Sequence, residues 1–195
     1  MTYPRYYLTD DQKAFARYQA KLRNDAKPLS IRHKTTRGNH TSEDAHLVGI
    51  APEIVYGYIT GQEIDTSIHA HGDMFDFTNK FNHEIRGSTW KGPDIEMKIK
   101  MEEFLKKIAD VYTLARVSPD ISYVEFIGCI TREKFDKVKY IRNHGYGNNY
   151  CVGPDQLAKG LPVTLDNQLK YISFDMVDNI IKSKKSTATP FLSYI

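Results

Sequence analysis

A chain of 195 residues has the length of one ordinary domain, expected to span 1–195. With 41% hydrophobic, 26% charged and 12% aromatic residues, the composition excludes a disordered or low-complexity protein. The net charge of +3 and pI near 8.7 permit a polyanionic partner without demanding one. No apolar run reaches the roughly 18 residues of a membrane helix, and the N-terminal Met-Thr-Tyr-Pro-Arg-Tyr-Tyr lacks a signal pattern. The cytoplasm is therefore the expected location, with no membrane partner.

The first element is announced by Thr9-Asp10-Asp11-Gln12, a capping box that predicts a helix through about Arg23. Phe15, Tyr18 and Leu22 recur at helical spacing, and Lys13, Arg17, Lys21 and Arg23 form a basic opposite face. Residues 24–41 hold Lys27, Arg32, His33, Lys34, Arg37 and His40, a basic loop compatible with nucleic-acid contact or with plain solvation. Residues 1–40 thus read as a helical, basic N-terminal extension. A second helix is expected from Ser42 to about Thr60, closed by Gly61, with Leu47, Ile50, Ile54, Val55 and Tyr58 as its apolar stripe. Pro52 predicts a kink or a restart there. Glu53 lies beside the stripe, where a buried carboxylate needs a partner or a metal.

From residue 65 the period changes. Asp65–His71, Asp73–Thr78 and Phe81–Arg86 read as a strand meander, and Asp94–Lys100 alternates with Ile95, Met97 and Ile99 on one face. Glu102–Asp110 reads as a helix. Val111–Val117 and Tyr123–Ile130 are strands around the turn Ser118-Pro119-Asp120, and Thr131-Arg132-Glu133-Lys134 opens a short helix. His144–Asn149 reads as a loop and Tyr150–Val152 as a short strand. Residues 171–183 are a candidate last helix, and 184–195 a loose tail. The expected class is α/β (α+β), a mixed central sheet flanked by helices.

Phosphodiester hydrolysis needs charge stabilisation at phosphate oxygens and a source of hydroxide, which hard divalent cations on clustered carboxylates supply. On a strand, residues i and i+2 share a face, so an acid-x-base triplet aims a carboxylate and a cation at one spot. The chain offers this twice, in Glu84-Ile85-Arg86, with Asp76 across a hairpin, and in Glu96-Met97-Lys98. Alternating Glu and Lys also decorate ordinary half-exposed strands. His46, His71 and His83 lie near these acids, and structural roles suit them better than metal ligation. The two cysteines, Cys129 and Cys151, lack the spacing of a zinc motif or a disulfide framework.

The stretch from about Glu53 to Leu157 resembles the small PD-(D/E)XK nucleases of phages and bacteria. The matching pieces are Gly49-Ile50-Ala51-Pro52-Glu53, Gly72-Asp73-Met74-Phe75-Asp76-Phe77 and Glu84-Ile85-Arg86-Gly87-Ser88-Thr89-Trp90-Lys91. They continue with Asp110–Val117, with Glu125–Thr131 and with Gly145–Val152. The resemblance implies a restriction-endonuclease-like core and a Mg²⁺- or Mn²⁺-dependent nuclease. Such an enzyme acts on DNA rather than RNA and cuts internally, and a homodimer would serve a double-strand cut. It implies that Glu53 helps hold the metal, that Asp76 bridges it, and that a triplet acid ligates it. Spacing favours Glu84/Arg86 over Glu96/Lys98, and both stay open. Arg86 stands where the family has Lys, and Lys91 or Lys98 are the candidates to replace that lysine. Asp73 is the alternative hairpin acid. An RNA endonuclease of the same fold and a catalytically weak nucleic-acid-binding module are the rival readings.

Overall fold

The computed structural model describes residues 3–26, 41–68, 76–77, 80–144 and 147–187. The elements in chain order are β1 (Arg5–Tyr7), α1 (Asp10–Asp25), α2 (Ser42–Thr60), β2 (His83–Ser88), β3 (Met97–Lys100) and α3 (Met101–Lys106). They continue with β4 (Val111–Val117), β5 (Tyr123–Thr131), α4 (Arg132–Val138), β6 (Tyr140–Asn143) and β7 (Asn148–Val152). After a 3₁₀ turn at Pro154–Gln156 come β8 (Gly160–Leu165), β9 (Gln168–Ser173) and α5 (Phe174–Thr187).

The class is as the sequence predicts, a mixed sheet flanked by helices. Its strand order is β1-β5-β4-β2, with β2 parallel to β4 and the other pairs antiparallel. Parallel neighbours require a crossover, which β3 and α3 supply between β2 and β4. Alternation along the strands splits the core into two layers. Ala115, Val117, Val124 and Phe126 pack with Ile50, Ile54 and Val55 of α2 and with Ala16 and Ala20 of α1. Tyr112, Leu114, Ile127 and Ile130 pack the other way, against Ile95, Met97, Ile99, Phe104 and Phe135.

The capping box expected at Thr9 forms, and Thr131 caps α4 as expected by accepting from Lys134 N. A further box, not anticipated from the sequence, opens α2 at Thr41. Thr9 accepts from Gln12 N while the Gln12 side chain accepts from Thr9 N, and Thr41 and Asp44 repeat the pattern. Gly61 closes α2 at φ 73°. The buried stripe of α1 is not the expected aromatic one. Gln12, Ala16, Gln19 and Ala20 face inward, while Tyr18 is exposed. Ala16 and Ala20 let α1 lie directly along α2, where bulkier side chains would hold the two backbones apart. α2 runs through Pro52 as one continuous element.

Elsewhere, residues 62–68 carry no regular structure where a strand is expected, and α3 ends at Lys106, short of Asp110. The expected strand over Asp73–Thr78 falls mostly outside the described residues; Phe77 forms a single antiparallel bridge with His83. The basic loop of residues 27–40, His71 and Asp73 also lie outside them. Four strands went unread: β1, β6, β8 and β9. Asp166 and Asn167, with φ of 51° and 63°, make the tight turn joining β8 to β9, the left-handed pair that two-residue hairpins use.

Candidate active site

Strand β2 carries Glu84 and Arg86 on one face, as their i, i+2 spacing requires, and the two pair at 3.0 Å. Asp76, just before the bridge at Phe77, accepts a hydrogen bond from the backbone N–H of Ile85 through Oδ2 at 2.5 Å. Its carboxyl is thereby anchored beside the triplet. Glu53 arrives from α2, which lies so close to β2 that a Cβ on Gly87 would sit 2.0 Å from the Val48 carbonyl oxygen. That carbonyl is the helix acceptor four residues before Pro52, whose ring nitrogen has no hydrogen to offer it. A proline in the helix and a glycine in the strand together let the two backbones meet, and Glu53 follows Pro52 directly.

The electrostatics bind these acids into one group. Burial, reinforced by the charge of Glu53, raises the Asp76 carboxyl well above the usual range, although part of the residue still reaches solvent. Burial pushes Glu84 up to about 7 against the pull of Arg86, with Asp76 adding to the rise. Like-charged carboxyls in a low-dielectric setting cannot all ionise freely. Arg86 also holds Glu103 of α3 at 2.5 Å. Burial works against the Arg86 charge, but Glu84 and Glu103 outweigh it and keep its pKa above the ordinary value. Its buried Nε has no hydrogen-bond partner among the described residues.

Arg23 of α1 grips Glu53 through both terminal nitrogens, at 3.3 and 3.1 Å, and also donates to the Asp65 carbonyl. The sequence placed Arg23 on a solvated basic face; it is instead a buried counter-charge. Lys107, following α3, approaches Glu103 at 3.6 Å and pulls on the titration of Glu84. Arg23, Glu103 and Lys107 escape sequence reading because only the packing of α1 on α2 and the reach of Glu103 from α3 to Arg86 of β2 bring them here. For Arg23 a faint signal existed, since it lies one helical turn past the buried Gln19 and Ala20.

The second triplet lies elsewhere. Glu96 precedes β3, which belongs to a separate sheet of order β3-β7-β6. Its carboxylate accepts from Tyr140 Oη at 2.6 Å and pairs with Arg142, while Lys98 points to solvent. Lys91 is exposed as well. His83 is structural. Its ring lies buried against Tyr56, bonded to Thr113 Oγ1 at 2.8 Å, and burial lowers its pKa to about 3, so it is neutral.

Glu53, Asp76 and Glu84 bring only oxygen donors, the chemistry a hard divalent cation prefers, but among the described residues their carboxylate oxygens do not all come within 4.8 Å of one another. Compared with known proteins, the chain matches no family model, no curated protein and no solved structure.

Proposed function

We propose that the chain is a metal-dependent nuclease of the PD-(D/E)XK kind that hydrolyses DNA phosphodiesters internally, with Glu53, Asp76, Glu84 and Arg86 at its centre. One observation carries the reading: Asp76 is electrostatically coupled to both Glu53 and Glu84, carboxylates from α2 and β2 that are buried together. Burying mutually repelling acids is costly; Arg23 and Arg86 offset part of that cost, and a divalent cation would offset more. Mg²⁺ or Mn²⁺ fits the donor set; when bound it polarises a phosphate and lowers the pKa of a bound water.

The chain's own residues supply the remainder. Arg86 stays charged and cannot act as a base, so its part is to stabilise charge on phosphate oxygens. Without a cation, burial pushes the Glu84 carboxyl up to about 7, and a bound cation would return it to the ionised form. Lys107 stands 3.6 Å from Glu103, and its charge favours the ionised form of Glu84.

A second reading rests on a specific observation. Arg86 replaces the expected lysine and is held by two glutamates, which suits a nucleic-acid-binding module of low activity. The test incubates the full chain with Mg²⁺ and either plasmid DNA or single-stranded RNA, beside Glu53→Gln and Glu84→Gln. Plasmid nicking lost in both variants supports the nuclease, and cutting of RNA alone moves the substrate class. Binding without cleavage favours the module. Neither binding nor cleavage ends both readings.

A further inference from the structure

We propose that Glu96, His144 and Cys151 form a second metal site, one that takes zinc or a similar borderline transition metal. It is separate from the carboxylate cluster in place and in chemistry.

The small sheet builds this site. β7 is its central strand, with Lys98 and Tyr140 directly opposite Cys151 on the two neighbours. Directly opposite residues share a face, as do positions two apart along a strand. Counting from Lys98 back to Glu96, and from Tyr140 through Arg142 to His144, brings all three side chains to the Cys151 side of the sheet. Met97, Ile99 and Val152 take the opposite face, into the core.

The distances are those of a coordination polyhedron. Zinc lies about 2.3 Å from sulfur and about 2.0–2.2 Å from nitrogen or oxygen, so tetrahedral angles set the S···N edge at about 3.5 Å and the N···O edge at about 3.4 Å. Cys151 Sγ stands 3.5 Å from His144 Nε2, and His144 Nε2 stands 3.5 Å from Glu96 Oε2. All three ligand atoms lie within 4.8 Å of one another. The same nitrogen faces both sulfur and carboxylate. A nucleophilic relay would instead use opposite edges of the imidazole, with one nitrogen on the thiol and the other on the acid. The three atoms converge on a point.

Glu96 is also prepared for one further bond. Tyr140 and Arg142 occupy Oε1, which leaves Oε2 as the oxygen turned toward His144. Such outer contacts orient a ligating carboxylate. The Cys151 side chain is fully buried, and the Glu96 side chain is only 9% exposed, so the cluster is shielded from competing water. On binding, the thiol releases its proton to solvent, and the thiolate and carboxylate balance a divalent charge. Three protein ligands leave a fourth position for water or an external ligand.

The test is a titration of the chelator-stripped full chain with Co²⁺, whose spectrum reports both geometry and sulfur ligation. One tetrahedral, thiolate-bound cobalt per chain is expected, read from its ligand-field bands and thiolate-to-cobalt charge transfer, both displaced by Zn²⁺. Cys151→Ser should remove the charge-transfer band, and Glu96→Gln and His144→Ala should each weaken binding at least about tenfold. Glu84→Gln should leave this binding unchanged. Wild-type protein without charge transfer, or an unaltered band in Cys151→Ser, overturns the proposal. If circular dichroism shows Cys151→Ser unfolded, an unchanged cobalt affinity in Glu96→Gln overturns it equally.

Discussion

At Glu84 two demands conflict, because a carboxylate placed to hold a cation is also a charge buried beside Asp76. Its carboxyl titrates at about 7 against an ordinary 4.5, so the folded chain holds this proton more tightly than the unfolded chain does. The resulting stability is fully present below about pH 4.5 and is lost as pH rises through about 7. Above that, the ionised site costs the fold up to about 3 kcal/mol. Glu84→Gln is therefore expected to unfold at a higher temperature than wild type at pH 8, and to lose the advantage by pH 4. In the same variant Mg²⁺-supported cleavage should fall by about a hundredfold or more. Thermal melts across pH and a plasmid assay read the two effects separately. A variant no more stable than wild type at pH 8 contradicts the assigned burial of the charge.

Helix α2 is positioned by two contacts, each with its own consequence. The first is the buried pair of Arg23 with Glu53, whose side chains are 14% and 6% exposed. Removing one member strands the other, so Arg23→Met should cost about 3–5 kcal/mol, and Arg23→Met with Glu53→Met should recover much of it. Urea unfolding of the two single variants and the double variant measures that coupling. The second contact is the seating of the Val48 carbonyl on Gly87. Gly87→Ala needs no forbidden backbone angle, yet its methyl would overlap that oxygen. The strain should cost about 1–3 kcal/mol and shift Glu53 away from Asp76. Cleavage at a temperature where the variant is fully folded should then fall too; unchanged cleavage would separate the helix position from the site. Sequence reading saw both elements, because caps and periodicity are local signals. It did not see their contact, since Pro52 and Gly87 acquire a joint meaning only when the strand lies under the helix.

At the scale of the whole molecule, a cation that bound Glu53, Asp76 and Glu84, which come from distant segments, would stabilise the entire fold. At Mg²⁺ a hundredfold above its dissociation constant the gain is about 2.7 kcal/mol. A melt with and without Mg²⁺ should show it in wild type and lose most of it in Glu53→Gln; equal shifts in both would place the ion elsewhere. No described helix is long and apolar enough to cross a membrane.

What the residues alone determined is what short-range chemistry governs. The helix caps at Thr9 and Thr131, the strand face of β3, and the shared face of Glu84 and Arg86 all follow from backbone geometry within a few residues. The weak alternation of β9 and the Asp166-Asn167 turn were equally local but lacked the Gly that marks such hairpins. Only the tertiary structure decided that Arg23 turns inward to Glu53 and that Glu103 and Lys107 join β2. It alone set Glu96 beside Cys151 rather than beside Asp76. Those pairings depend on how two sheets and three helices close over a common core, and long-range charge and packing outweigh any preference a single segment carries.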